Sequence, residues 1–318
     1  MAKTRIFFTT DVHGSEVCFK KFLNSGKAYH ADVIILGGDI TGKMIIPIVQ
    51  NPDGTARANF LGNELTLKTA DERVELETNI RSTGFYPYPT TPSEVEKLEG
   101  DQKLRDALFS KVMCDEVQRW VKLAEDRLKG TMIKCYISPG NDDRFDIDEI
   151  LRSSSTIIYP EEEVLRIDEH HEMITTGFVN MTPWKAARDI PDEELRKKIE
   201  AMVSKVEKME NCLFNLHCPP YDTTLDLAPE LDETLKPVSS PGGGVNMIHV
   251  GSPAVRDAIE KNQPLIGLHG HIHESRGFVK IGRTLCINPG SEYGEGILRG
   301  ALINLDQDKL KSYLLTQG

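Results

Sequence analysis

Five short apolar runs, each ending in a tight polar turn, constrain this chain more than any other feature of its 318 residues. Residues 4–10 run into Asp11, and residues 31–36 into Gly37-Gly38-Asp39. Residues 132–137 run into Ser138-Pro139-Gly140-Asn141, 212–216 into His217, and 265–268 into His269-Gly270-His271. A run such as Val33-Ile34-Ile35-Leu36 has no polar alternation, so it suits a strand covered on both faces. Between the first two runs, Val17, Phe19, Phe22 and Leu23 recur at helical spacing from Ser15 to Asn24, with Ser25-Gly26 as the closing signal. Strand, helix and strand with short connections imply a parallel pair joined by a right-handed crossover. The fold class is therefore α/β. In open α/β sheets ligands sit at the carboxyl ends of strands, where these polar turns fall.

The rest of the chain fills in around that frame. Residues 101–129 predict one long helix or two, 146–152 a helical patch, 192–209 a charged amphipathic helix and 252–262 another helix. Shorter strands are expected at 156–159, 163–167 and 171–178, and antiparallel strands at 284–287, 299–305 and 311–315. The segment 43–100 breaks the rhythm. It predicts a small β-hairpin or meander over Met44 to Leu67, a helix near Asp71 to Arg81, and a Pro-aromatic loop at Phe85-Tyr86-Pro87-Tyr88-Pro89. We read it as an insertion that caps the site, within a single domain spanning 1–318. There is no repeat, no low-complexity tract and no linker separating two cores.

Bulk properties narrow the function. No apolar run approaches the roughly 20 residues of a membrane span, and Ile6-Phe7-Phe8 is too short for a signal peptide, so a cytoplasmic location is expected. Six cysteines without a CxxC pair then read as reduced thiols, with Cys218 a buried filler beside His217. The net charge of −11 disfavours a long nucleic acid as partner. Clustered carboxylates suit divalent cations instead.

The strand-end turns carry the ligand chemistry. Asp11 and His13 are two residues apart, and Gly14 permits the turn that lets both reach one ion. His271 and His273 flank a single Ile, which in an extended segment puts both imidazoles on one side. The order Asp-x-His, Gly-Asp, Gly-Asn-x-Asp, lone His, Gly-His-x-His resembles the calcineurin-like metallophosphoesterase superfamily. All of its blocks are present from Asp11 to His273, and Asn288-Pro289-Gly290-Ser291 also resembles the small bacterial phosphodiesterases of that superfamily.

The resemblance implies a two-sheet β-sandwich flanked by helices, a four-layer αββα architecture. It implies that Asp11, His13 and His273 hold one metal, that Asn141, His217 and His271 hold a second, and that Asp39 bridges them. The donors suit Mn, Fe, Zn, Co or Ni, with Mn favoured. The implied reaction is hydrolysis of a phosphodiester or a small phosphorylated metabolite by a metal-bridging hydroxide. Asn141, His217 and Asp142 are the residues expected at the chemistry, and Asp143 is expected to orient His13 or another ligand. A small-molecule phosphoester is the expected partner, with a homo-oligomer compatible. One position departs from the family pattern. Asp142 stands where many members carry a His that serves as general acid, and a carboxylate beside cations is a poor proton donor. That departure sustains an alternative, a catalytically weakened binding or sensor module on the same fold.

Other features carry less. His30, His170 and His171 fit no block and read as surface or half-buried. His249 is a minor candidate for the missing acid. Gly242-Gly243-Gly244 lacks the Lys-Ser/Thr of a P-loop and reads as a flexible loop, while Trp184 and Tyr221 suit either packing or stacking on a base.

Overall fold

A computed structural model describes residues 3–240 and 242–318. Two six-stranded sheets form its centre. The first runs Leu310–Gln317, Arg299–Leu305, Thr4–Thr9, Val33–Gly37, Lys134–Ser138, Ile157–Ile158. The second runs Gly277–Ile281, Thr284–Asn288, Ile266–Leu268, Cys212–Leu216, Glu172–Thr176, Val164–Arg166. The strands that precede the polar turns are parallel to one another within each sheet. Their carboxyl ends therefore share one rim.

Alternation along the strands builds the layers. Ile6, Phe8, Val33 and Ile35 of the first sheet meet Met173, Leu213, Ile266 and Leu285 of the second in a shared apolar interior. Phe7, Ile34 and Leu36 point the other way, onto Phe19, Phe22, Val117 and Trp120 of the helices Glu16–Ala28 and Gln102–Leu128. On the far side, Phe214 and Leu216 pack under Leu195, Ile199, Val255 and Ile259 of Asp192–Val203 and Pro253–Asn262. Helix, sheet, sheet and helix make the four layers that the sequence implied. Among the described residues no helix is long and apolar enough to cross a membrane.

Some boundaries differ from the sequence expectations. The first helix passes through Ser25-Gly26 and ends at Ala28. A Cβ at Gly26 would lie 2.7 Å from Ile133 Cδ1, so this glycine marks close packing rather than a stop. The charged helix from Asp192 ends at Val203, and Met209 begins a separate 3₁₀ turn. Gly277–Ile281 is a strand that the sequence reading left unassigned, and it makes Thr284–Asn288 antiparallel on one side only, the other side being parallel to Ile266–Leu268.

The inserted segment is a four-stranded sheet in the order Asn63–Leu67, Ala56–Phe60, Ile45–Gln50, Tyr86–Thr90, with its own apolar cluster of Ile46, Ile48, Phe60, Leu76 and Ile80. The Pro-aromatic stretch is thus a strand, parallel to Ile45–Gln50, and not a loop. It lies at the sheet edge, where Pro87 and Pro89 can lack an N–H without breaking a ladder. The insertion is pinned against the site. A Cβ on Gly84 would fall 2.2 Å from the His13 carbonyl, and Gly42 N–H donates to Tyr86 Oη at 2.7 Å.

Candidate metal centre

Each sequence-predicted ligand reaches the shared rim. Asp11 and His13 follow Thr4–Thr9, Asp39 follows Val33–Gly37, and Asn141 follows Lys134–Ser138; His217 and the pair His271 and His273 come from the second sheet. Three overlapping groups of donor atoms lie mutually within 4.8 Å: Asp11, His13 and His273; Asp39, His217 and His271; and His13, Asp39 and Asp142. His13 Nε2 is 3.0 Å from His273 Nε2, and His273 Nε2 is 3.4 Å from Asp11 Oδ1. His217 Nε2 is 3.4 Å from Asp39 Oδ2 and 3.8 Å from Asp11 Oδ1. Asn141 Oδ1 is 2.9 Å from His271 Nδ1.

Backbone and outer contacts aim these side chains. His217 Nδ1–H donates to the Gly37 carbonyl at 3.0 Å, which turns the Nε2 lone pair into the cluster. Asn141 Nδ2 donates to Asp189 Oδ1 at 3.1 Å, so its Oδ1 faces inward. Asp189 is itself fixed by the Thr182 and Ala186 amides. Asp143 accepts from the Ile40 and Thr41 amides, the Thr41 hydroxyl and the Gly140 amide, and so ties the loop bearing Asp39 to the loop bearing Asn141. Its partners are these groups and not His13. Ser291 Oγ donates to the Asp11 carbonyl at 2.6 Å, and Asn288 Nδ2 donates to the Ile272 carbonyl at 2.9 Å, so the Asn-Pro-Gly-Ser turn braces the Asp11 and His271–His273 loops.

Two glycines are required by close approach. A Cβ at Gly140 would sit 2.2 Å from Asp39 Oδ1, and one at Gly38, whose φ is +124°, would sit 2.3 Å from His217 Nδ1.

The electrostatics suit a cation. Burial works to raise the Asp11 carboxyl, but the His217 charge and the His273 hydrogen bond outweigh it and hold it low. Burial likewise opposes ionisation of Asp39, and His217 overcomes it. The two carboxylates in turn outweigh burial at His217, pushing it up to about 10. His13 is held down near 3 and His271 near 4, chiefly by burial. His217 Nε2 and His13 Nδ1 are buried with no hydrogen-bond partner. Inward lone pairs, orphaned imidazole nitrogens and paired carboxylates fit a divalent cation.

The sequence reading missed three neighbours. Lys43 Nζ lies 2.6 Å from Asp142 Oδ2 at the mouth of the cluster. Asp142 Oδ2 is 3.9 Å from His13 Nδ1, and its N–H donates to Asp39 Oδ1 at 3.0 Å. Burial and the Asp39 charge raise the Asp142 carboxyl, and Lys43 opposes them. Tyr293 packs its ring 4.7 Å from that of His13. Asp189 is the third. Nothing in a single sequence marks any of them, because each reaches the rim from outside the five blocks.

Other candidates lie elsewhere. His249 is held by Asp226 Oδ1 at 2.8 Å and by Asp222. His171 is buried on Asp168, contrary to the surface or half-buried expectation, and His269 is buried on the Leu216 and Cys218 carbonyls. Cys218 is buried, and Trp184 and Tyr221 are exposed.

No family model matches the chain. Over 184 residues, 56% of this chain and 75% of the other, it is 30% identical to the uncharacterized protein MJ1162 of Methanocaldococcus jannaschii. Two solved structures share its fold. One, at TM-score 0.59 and 16% identity, is covered to 99% in both chains. The other, TT1561 of Thermus thermophilus, has a TM-score of 0.53 and 13% identity over 100% of this chain and 99% of that one.

Proposed function

The chain belongs to the family of the M. jannaschii protein and has the four-layer architecture of the calcineurin-like metallophosphoesterases, and we propose that it is a binuclear metal-dependent phosphoesterase, a hydrolase of a phosphodiester or small phosphorylated metabolite. One observation carries this reading: the buried Asp39 carboxylate stands between two imidazole and carboxylate groups, with the free Nε2 of His217 turned toward it.

Asp11, His13 and His273 would hold one ion, and Asn141, His217 and His271 the other, with Asp39 shared and Mn favoured. Ions so held would supply charge for the phosphoryl oxygens and a water of lowered pKa. The chain's own contribution is preorganisation. Gly37 and Asp189 fix the tautomer of His217 and the rotamer of Asn141, so neither must reorient when charge builds on phosphorus. Hydrolysis joins a water oxygen to phosphorus, breaks the ester P–O bond and delivers a proton to the departing oxygen. Lys43, paired with Asp142 at the mouth, is a cation positioned to meet that oxygen or a phosphoryl oxygen, and Asp142 holds it there. Residues 43–100 cap this mouth.

The test is metal content together with hydrolysis, comparing bis-p-nitrophenyl phosphate with p-nitrophenyl phosphate in added Mn. We expect two ions per chain and faster diester cleavage. Asp39→Ala should lose at least one ion and lower kcat/KM by about a hundredfold or more. Protein with no bound metal would sink the assignment. A second reading, the weakened binding module, is favoured by Asp142 alone. Two ions with no turnover of either ester would select it.

A further inference from the structure

A cavity of about 720 Å³ lies beside the candidate metal centre, and of its lining residues the proposed reaction uses only Lys43. It runs between the inserted sheet, at Ile45–Gln50 and Tyr86–Thr90, and the helices Pro92–Gly100 and Gln102–Leu128. Its walls are mainly apolar, with Met44, Ile45, Val95, Leu98, Leu108 and Phe109 among them. Met44, one of the lining residues, is 51% exposed. The volume falls in the range of small-molecule sites, about 300–1,000 Å³.

Lys43 joins this groove to the cluster. It is one of the groove's lining residues, while its ammonium sits on Asp142, 2.6 Å away. An ester with its phosphate at the cluster thus meets Lys43 first and the apolar walls next. The lining beyond Lys43 is mainly aliphatic and aromatic, with Glu99, Arg105 and Asp106 as its charged members.

We propose that this groove seats the organic part of the substrate, and that the substrate class is a phosphate ester carrying an extended alkyl or aryl group, with Lys43 marking the junction between head and body. The inference rests on the phosphoesterase reading and narrows its substrate. It also gives the insertion a role, because one wall of the groove is built from the inserted sheet.

The experiment compares octyl phosphate with methyl phosphate in titration calorimetry on the full chain loaded with Mn. Octyl phosphate should bind at least about tenfold tighter, since burying even part of the longer chain is favourable. Met44→Glu, at an exposed position, and Val95→Glu, across the groove, should each abolish that preference. Bis-p-nitrophenyl phosphate turnover is measured separately. Its absence would sink the proposed reaction while leaving the binding ratio to be read, whereas turnover with no chain-length preference would overturn the groove alone. Binding of neither phosphate would also overturn it. Sedimentation of both variants supplies the remaining outcome: a dimer that Val95→Glu dissociates, without any octyl preference, would make the groove a contact between copies of this chain and overturn the inference.

Discussion

Glu161 offers a prediction whose size follows from one buried carboxyl. It is buried, accepting from the Gly177 amide at 2.8 Å and the Thr176 hydroxyl at 2.9 Å. Burial, opposed by the Gly177 hydrogen bond and the Arg188 charge, lifts it from 4.5 to about 7. Between those values the folded protein holds a proton that the unfolded chain has released. Its contribution to stability is therefore present at low pH and is lost as pH rises through about 7. A rise of that size is worth on the order of 3 kcal/mol, most of it expressed between pH 5 and pH 8. Glu161→Gln cannot titrate, so it removes the slope whatever it does to the contacts. Unfolding entropy of about 2.1 cal/mol/K per residue gives roughly 0.7 kcal/mol per degree for a chain of this length. The difference in Tm between variant and parent should therefore shift by about 4 °C in the variant's favour from pH 5 to pH 8. Differential scanning calorimetry of metal-free protein at both pH values measures it. The same difference at both would refute the burial argument. The result also bears on the site, because a Cβ on Gly177 would lie 2.0 Å from the Pro139 carbonyl, so this carboxyl backs the turn that presents Asn141.

Three further outcomes test the centre itself. Asp189→Ala should free the Asn141 amide and weaken Mn binding about 10- to 100-fold by calorimetry, with little change in Tm; unchanged affinity would show that Asn141 does not need this brace. Gly140→Ala forces a Cβ to within 2.2 Å of the Asp39 amide and carboxylate, so metal content should collapse even in protein that remains folded; full metal content would contradict the close approach. Asp142→Ala should slow esters with poor leaving groups far more than p-nitrophenyl esters, whereas an equal drop for both would remove the Lys43–Asp142 pair from the leaving-group step.

The sequence disclosed the parts of this protein that depend on local patterning. Runs such as Val33–Leu36 are apolar at every position because the strand is covered on both faces, and the run itself reports that. The polar turns were readable as a shared rim for the same reason, since a strand end is where the chain leaves the core. What stayed hidden depends on distant partners. Tyr86–Thr90 looked like a loop because prolines argue against a strand, and only its edge position beside Ile45–Gln50 makes it one. Gly26 looked like a stop because nothing local announces Ile133 across the layer. Lys43 and Asp189 are ordinary charged residues in sequence, and they matter only because the insertion and the loop before Asp192 fold back onto the rim.

The same rim is where the chain departs most from relaxed geometry. Asp11, His13, Asp39 and His271 all have positive φ, at 53°, 39°, 49° and 67°. Side chains in that region cost on the order of 1–3 kcal/mol each, and such residues persist only where the surroundings over-determine them. Here the surroundings do so. The His13 and Asp11 amides donate to the Asp39 and Gly38 carbonyls, both at 2.9 Å, and the His271 amide is held by the Asp11 carboxylate at 3.1 Å. Each loop fixes the next, and the apolar interior between the sheets fixes the strands that carry them. The backbone contacts between these loops thus hold the candidate donors together at one rim. An ion arriving there would meet converged carboxylates and inward lone pairs. Its binding energy would then relieve charge crowding rather than order a loop, which is the condition under which a strained and electrostatically costly arrangement works as a preorganised centre.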